Sequence, residues 1–214
     1  MVITSGCRRN NGFNFSEAKQ PDGGRQRTLA DTYGPRNDLF VNNNGGPPFK
    51  AFAAITREDI LKGVESNMLT PIALAQAFLP GMAARKFGRI INITSSSVRA
   101  PIAGLDVSSG ARAGLTALLA AAARAYASDN VTTNSIQPGS FDTDRIKASI
   151  GRTAAQRGLS TEEARAEALK RSPAGRFGDP AELGALCAFL ASAWAGFITG
   201  QNILIDGGAF PGAF

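Results

Sequence analysis

Apolar positions along the chain switch between two periods. Arg89–Thr94 is a short run of isoleucines around an asparagine, ending in a Ser/Thr cluster, and reads as a buried parallel strand that opens into a polar site. From Val107 to Tyr126 the apolar residues recur at Val107, Ala111, Leu115, Leu118, Leu119, Ala122 and Tyr126, and steps of three and four set them on one helical face. Val131–Ile136 is β-rich again, and Pro138-Gly139 stops it with a turn. Strand, helix, strand within about fifty residues predicts a right-handed crossover between parallel strands. Ligands of such sheets bind outside the carboxyl ends of the strands, where Ser95 and the segment 138–143 fall.

The same pattern extends both ways. Leu39-Phe40-Val41 is a short buried strand and 42–48 a turn; Thr56 with Asp59 three residues on is a helix N-cap. That helix is expected to run through Asn67 to about Phe78, bent near Pro71, with Leu74, Ala77, Phe78 and Met82 on its apolar face. Helical patterns follow at 144–158 and 161–170, then at 180–192 with Leu183, Leu186, Cys187 and Leu190 facing in, and 202–205 is a last strand. Leu29–Tyr33 reads as a helix end closed by Gly34. Apart from a short strand at 2–4, residues 1–28 lack apolar periodicity and are rich in Asn, Gly, Gln and Arg. The expectation is a poorly structured segment, 1–28, before a single domain, 29–214. The fold class is α/β, a partial doubly wound (Rossmann-like) parallel sheet flanked by helices. Its strands lie near 39–42, 89–94, 131–136 and 202–205, with a further one at 2–4.

Composition removes several function classes. At 214 residues, 43% hydrophobic and 19% charged, the chain is an ordinary one-domain globular sequence. It has no apolar run long enough to span a membrane and no signal-peptide core at its start. Histidine is absent, which excludes a Ser-His triad and histidine-based metal ligation, and no metal is expected. Cys7 and Cys187 are far apart and match no metal spacing, so both read as free thiols of a reducing, cytoplasmic compartment. The net charge is +6, but the basic residues are scattered and no aromatics interleave them. This argues against nucleic acid and for a basic surface that attracts a phosphorylated cofactor or an acidic carrier.

Four motifs in order carry a resemblance: Val41–Gly45 (VNNNG), the INITSS run that ends the strand at Ser95-Ser96, NSIQPGSFDT ending at Thr143, and SPAGRFGDP at 172–180 followed by Thr199-Gly200-Gln201 and Asp206-Gly207-Gly208. Together they resemble the short-chain dehydrogenase/reductase family, close to its 3-oxoacyl-carrier-protein reductase-like members, over roughly residues 29–208. The resemblance implies NAD(P)-dependent hydride transfer to a small-molecule or carrier-bound carbonyl such as a 3-oxoacyl thioester. It assigns Ser95 to orienting the carbonyl and Asn67 to a proton relay. It assigns Asn43, Asn44, Gly45, Pro138, Gly139, Phe141 and Thr143 to the cofactor. It also implies a homo-oligomer, built on the helix from Val107 and the one carrying Asn67.

Two departures from the family pattern stand out. The family opens with strand, glycine-rich turn and helix, then two more strand–helix units, whereas only 41 residues precede Asn42 here; Ser5-Gly6 and Gly12 are the nearest thing to a phosphate loop. Counted back from Gly114-Leu115-Thr116, the family's Tyr and Lys fall on Leu105 and Ser109, which supply neither a proton nor a fixed charge, while Arg112, further along, is suited to binding a phosphate but not to acid catalysis. Local readings stand beside the functional ones: Ser95 as a cap, Asn67 satisfying backbone in a bent helix, and Asn42–Asn44 as turn chemistry. The expectation is therefore a reductase frame whose activity is lost or strongly impaired. The alternative is a catalytically silent binding or oligomerisation partner.

Overall fold

The structure, a computed structural model, describes residues 2–5, 16–18 and 37–212. The glycine loop at 5–12, the helix end at 29–34 and Cys7 therefore lie, wholly or largely, outside the described residues. The strands are β1 (Val2–Ser5), β2 (Ser16–Ala18), β3 (Leu39–Asn43), β4 (Gly88–Ile93), β5 (Val131–Pro138) and β6 (Asn202–Ile205). They form one sheet in the order β2-β1-β3-β4-β5-β6. β3 to β6 run parallel, as the crossover pattern predicts, with Asn42 opposite Asn92 and Asn92 opposite Ser135. The strand expected at 2–4 is present as β1, but it pairs antiparallel with β3, and β2 pairs antiparallel with β1. β3 is consequently an interior strand.

Alternation along the strands sorts the core. Phe40, Ile90 and Val131 point to one face, and Leu39, Val41, Ile91, Ile93 and Ile136 to the other. The first face is covered by α2 (Thr70–Ala84) through Leu74, Phe78, Leu79 and Met82, and by α3 (Asp106–Tyr126) through Leu115 and Leu119. The second is covered by α6 (Pro180–Ala191), whose Leu183, Leu186, Cys187 and Leu190 face in as the pattern indicates. Burial pushes the Cys187 thiol up to about 11, so it stays protonated at neutral pH. A smaller cluster of Ile150, Ala154, Ala164 and Phe177 holds α4 (Asp144–Arg157) to α5 (Thr161–Leu169). No described helix is long and apolar enough to cross a membrane, and the described residues hold no group of three or more potential metal ligands.

The helix before β4 differs from the expectation. α1 (Arg57–Val64) starts on a capping box between Thr56 and Asp59. A π-helical turn, Glu65–Leu69, then interrupts it, and α2 resumes with Pro71 in its first turn. The distortion expected near Pro71 takes the form of the π turn that carries Asn67: Leu69 and Thr70 keep helical backbone, so the helix runs on into Pro71, whose missing amide removes one helical donor. The apolar stripe of α3 also needs correction. Ala111, Leu115 and Leu119 are buried, but Leu118 is half exposed, so the surface that remains for a partner is Leu118's side of the helix. Of the apolar face expected on α2, Leu74, Phe78 and Met82 lie in the core, whereas Ala77 is exposed.

α1 and α3 approach closely at Gly63, where a β-carbon would stand 2.1 Å from Val107 Cγ1. At Gly184, within α6, nothing lies within 4 Å of that position. Gly63→Ala should therefore destabilise the fold by about 1–3 kcal/mol through overpacking. Gly184→Ala should stabilise it by about 0.5–1 kcal/mol through helix propensity. Urea midpoints of the two variants should move in opposite directions.

Candidate active site

The carboxyl ends of β3, β4 and β5 converge with the start of α3, and a buried arginine sits where they meet. Arg112 is 6% exposed. Its Nη1 donates to the carbonyls of Ile93 (2.8 Å) and Thr94 (3.1 Å), its Nη2 to that of Asn44 (2.6 Å), and its Nε to Ser108 Oγ (3.2 Å). One guanidinium thus ties the end of β4 to the turn after β3. Burial first, then the charge of Arg145, pushes it down to about 10, which leaves it protonated at neutral pH.

The polar floor beneath this arginine is built by the π turn. Asn44 Nδ2 donates to the Ser66 carbonyl, and Asn67 Nδ2 to Ser66 Oγ at 2.8 Å. Asn67 Oδ1 and Asn44 Oδ1 are buried and have no partner among the described residues, and neither have Asn42 Oδ1 and Asn92 Nδ2 on the adjacent strand pair. Asn67 and Asn44 are thereby brought together through Ser66. Asn43 closes β3 half-buried, and Gly45 is open, with nothing within 4 Å of where a β-carbon would stand. Ser95 behaves as a cap: its Oγ accepts from the Ser97 amide (3.1 Å) and the Ser97 hydroxyl (2.9 Å).

The remaining predicted residues form a separate wall. Pro138 ends β5 opposite Ile205. Gly139 N–H donates to the Ile205 carbonyl, and a β-carbon on Gly139 would stand 2.7 Å from Asp206 Cβ, so this glycine serves close packing against β6. Phe141 bridges to Gly178, and Thr143 precedes α4 without a side-chain cap. Ser140, Phe141, Ala174, Arg176, Gly178 and Asp206 are among the residues lining a cavity of about 200 Å³ beside this wall. At its rim Glu182 accepts from Arg176, and this, with the Asp179 amide, holds its carboxyl down to about 2.

Leu105 and Ser109 do not reach the site. Leu105 is the residue before α3, and its carbonyl accepts both the amide (2.8 Å) and the hydroxyl (2.9 Å) of Ser109. The side chains that do reach the strand ends are Ser108 and Arg112, with the same spacing of four but three residues further on. Counting back from Gly114-Leu115-Thr116 therefore overshoots, by three residues, the positions that face the strands. Sequence reasoning also missed Arg145, which reaches back from α4: a β-carbon on Gly46 would stand 3.3 Å from Arg145 Nη2 and 3.3 Å from Ser108 Oγ. A signal for it existed, since a cation in the first turn of a helix opposes the macrodipole and asks for a reason.

With this geometry in view, comparison with known proteins is decisive. A family described as enoyl-(acyl carrier protein) reductase matches residues 26–209. The chain belongs to the short-chain dehydrogenase/reductase family. It is 33% identical over 184 residues to the 3-oxoacyl-(acyl-carrier-protein) reductase of Vibrio cholerae, covering 86% of this chain and 70% of that protein. It is 31% identical over 175 residues to the acetoacetyl-CoA reductase of Cupriavidus necator, covering 82% and 67%. Among solved structures it superposes on YwfH, an NADPH-dependent reductase involved in bacilysin biosynthesis, with a TM-score of 0.80 at 28% identity, covering 88% of this chain and 72% of that one. The chain spans about two thirds to seven tenths of the length of the first two curated relatives, at 70% and 66%.

As a short-chain dehydrogenase/reductase with an arginine at its centre, the protein has a structural stake in that residue. Arg112→Leu removes the donors of three strand-end carbonyls and should lower stability by about 3 kcal/mol or more, since hydrogen bonds to charged groups contribute about 1.5–3 kcal/mol each. Arg112→Lys should recover part of the loss, because a point ammonium cannot span all three acceptors. Chemical denaturation of the two variants checks the order.

Proposed function

We propose that this chain is a short-chain dehydrogenase/reductase-type oxidoreductase for a carbonyl of the 3-oxoacyl thioester class, using NAD(P), with strongly impaired turnover. The observation that carries this reading is that Ser108 and Arg112 face the strand ends where proton donation is needed. Among the described residues Tyr126 is the only phenol, and it packs against the core at the far end of α3. We assign Ser108 and Arg112, rather than Leu105 and Ser109, to the family's Tyr and Lys positions. A serine hydroxyl is far too weak an acid to replace a phenol tuned by a neighbouring cation, and losing a positioned general acid removes about 10²–10⁴-fold in rate.

The turn after β3 fits a ribose-bearing cofactor. Gly45 leaves open space, and the buried acceptor Asn44 Oδ1 beside it lacks a donor among the described residues. Asn43, Asn44 and Gly45 would hold one end of NAD(P), and Phe141 and Thr143 the other. When bound, the cofactor supplies the hydride. The chain's own part is to orient: Ser108 presents its hydroxyl toward the carbonyl, Ser95 shapes the loop after β4, and Arg112 holds the floor rigid and positively charged. Relatives named as reductases of 3-oxoacyl carrier protein and acetoacetyl-CoA support the substrate class.

Turnover of acetoacetyl-CoA with NADPH should fall at least about 100-fold below that of an ordinary reductase. Ser108→Tyr combined with Arg112→Lys should raise it, while Leu105→Tyr combined with Ser109→Lys should not. The reverse order would show that the side chains facing the strand ends are not the reacting positions. Calorimetric titration with NADPH and NADH reports cofactor affinity separately from rate.

A second reading, assembly without catalysis, rests on exposed side chains of mutually packed elements: Leu61 of α1, Leu69 of the π turn and Leu118 of α3, each about half exposed. Burying them in a two-fold helix contact is worth about 25 cal/mol per Å² of apolar area. Light scattering should find a dimer or larger at micromolar concentration, and Leu118→Glu should convert it to a monomer. A wild-type particle of 22.3 kDa would remove this reading.

A further inference from the structure

Two guanidiniums, one hydroxyl and one glycine meet at the mouth of the strand ends, and no carboxylate among the described residues joins them. Arg112 spends four of its donor contacts on Ile93, Thr94, Asn44 and Ser108, which leaves one Nη2 N–H without a partner among the described residues. Ser108 is buried and accepts from Arg112, so its own hydroxyl hydrogen remains to be given. Arg145 has no ion pair among the described residues and reaches over Gly46, where a β-carbon would crowd Arg145 Nη2 and Ser108 Oγ, each at 3.3 Å.

The nearby acids are engaged elsewhere. Asp142 faces Lys147 at 4.0 Å and Arg165 at 3.6 Å, Asp144 faces Lys147 at 3.8 Å, and Asp106 accepts from the Gly104 amide. Arg145 also stands in the first turn of α4, whose N-cap residue Thr143 offers no side-chain acceptor, so the helix end adds positive potential rather than relieving it. Like charges brought together at one opening cost free energy unless an anion compensates them. Arg112 cannot move away, because it ties the strand ends. Arg145, at the exposed end of a surface helix, has no such tie.

We propose that Arg112, Arg145, Ser108 and the Gly46 turn form a binding site for an oxyanion, the carboxylate or phosphate group of a small ligand. The planar forks of the two arginines suit a group with two or three acceptor oxygens, and the Ser108 hydroxyl supplies a neutral donor between them. This site does not depend on hydride transfer, so it stands or falls independently of turnover.

Calorimetric titration of the full chain tests it, with inorganic phosphate and with malonate as separate probes at fixed ionic strength. The expected result is one-site saturable binding of at least one probe. Arg145→Gln should weaken it at least tenfold and Ser108→Ala severalfold. Arg152→Gln, which removes an exposed charge from the same helix, should leave it within about twofold. Preference for phosphate identifies a phosphate ester as the ligand class, and preference for malonate a carboxylate. Absence of saturable binding with both probes, or equal weakening by Arg145→Gln and Arg152→Gln, overturns the site.

Discussion

One side chain ties the end of β4 to the turn after β3. Backbone ladders satisfy the interior of a parallel sheet but leave carbonyls at the carboxyl ends with no strand partner, and a buried acceptor without a donor costs about 1–3 kcal/mol. Arg112 supplies donors to Ile93, Thr94 and Asn44 at once. The turn after β3, the loop after β4 and the first turns of α3 are therefore fixed relative to one another by a single planar group. Everything else at the site follows from that fixed frame: the buried Asn44, the π turn whose Ser66 meets it, and Ser108 beside the guanidinium.

How much of this was legible depended on whether the signal was local. The parallel strands, the inward face of α6 and the capping box at Thr56 follow from periodicity and from side-chain-to-backbone chemistry within a few residues, and they appear where the pattern puts them. The antiparallel pairing of β1 was not legible, because four residues of strand propensity carry no information about direction. The π turn was not legible either. Pro71 marks the neighbourhood of the disturbance, but nothing in composition says that it takes the form of an extra residue in the helix at 65–69. Among the site residues, Asn44 and Asn67 meet through Ser66, but Ser95 is turned to its own loop and Gly139 to Asp206. A motif gives the neighbourhood of a side chain, and only packing gives its direction.

The displaced register on α3 shows the same limit. A spacing of four puts both pairs, Leu105 with Ser109 and Ser108 with Arg112, on a common face, so spacing alone cannot choose between them. The choice is made by where the helix begins. Leu105 is its cap, and in that first turn Ser109's hydroxyl is drawn back to the Leu105 carbonyl. One turn later the same face looks onto the strand ends.

A comparison within β4 separates the structural from the chemical part of Arg112. Arg89, at the amino end of the same strand, is 1% exposed and also donates to carbonyls, those of Gly88, Asn130 and Ser192, with its guanidinium 4.3 Å over the Phe87 ring. The strand is clasped by a carboxylate-free arginine at each end, so burial of the cation among carbonyls is by itself a device for finishing a sheet. The difference lies in the surroundings. Burial alone lowers Arg89, whereas Arg112 is lowered by burial and by a second guanidinium. A clasp needs no second cation, and two like charges at one opening work against the fold that places them there. Arg145 is exposed and anchored to nothing else among the described residues, so folding alone does not account for its place over Gly46. The carboxyl end of β4 therefore carries a charge arrangement that the amino end lacks, on the side of the sheet where ligands of this architecture bind.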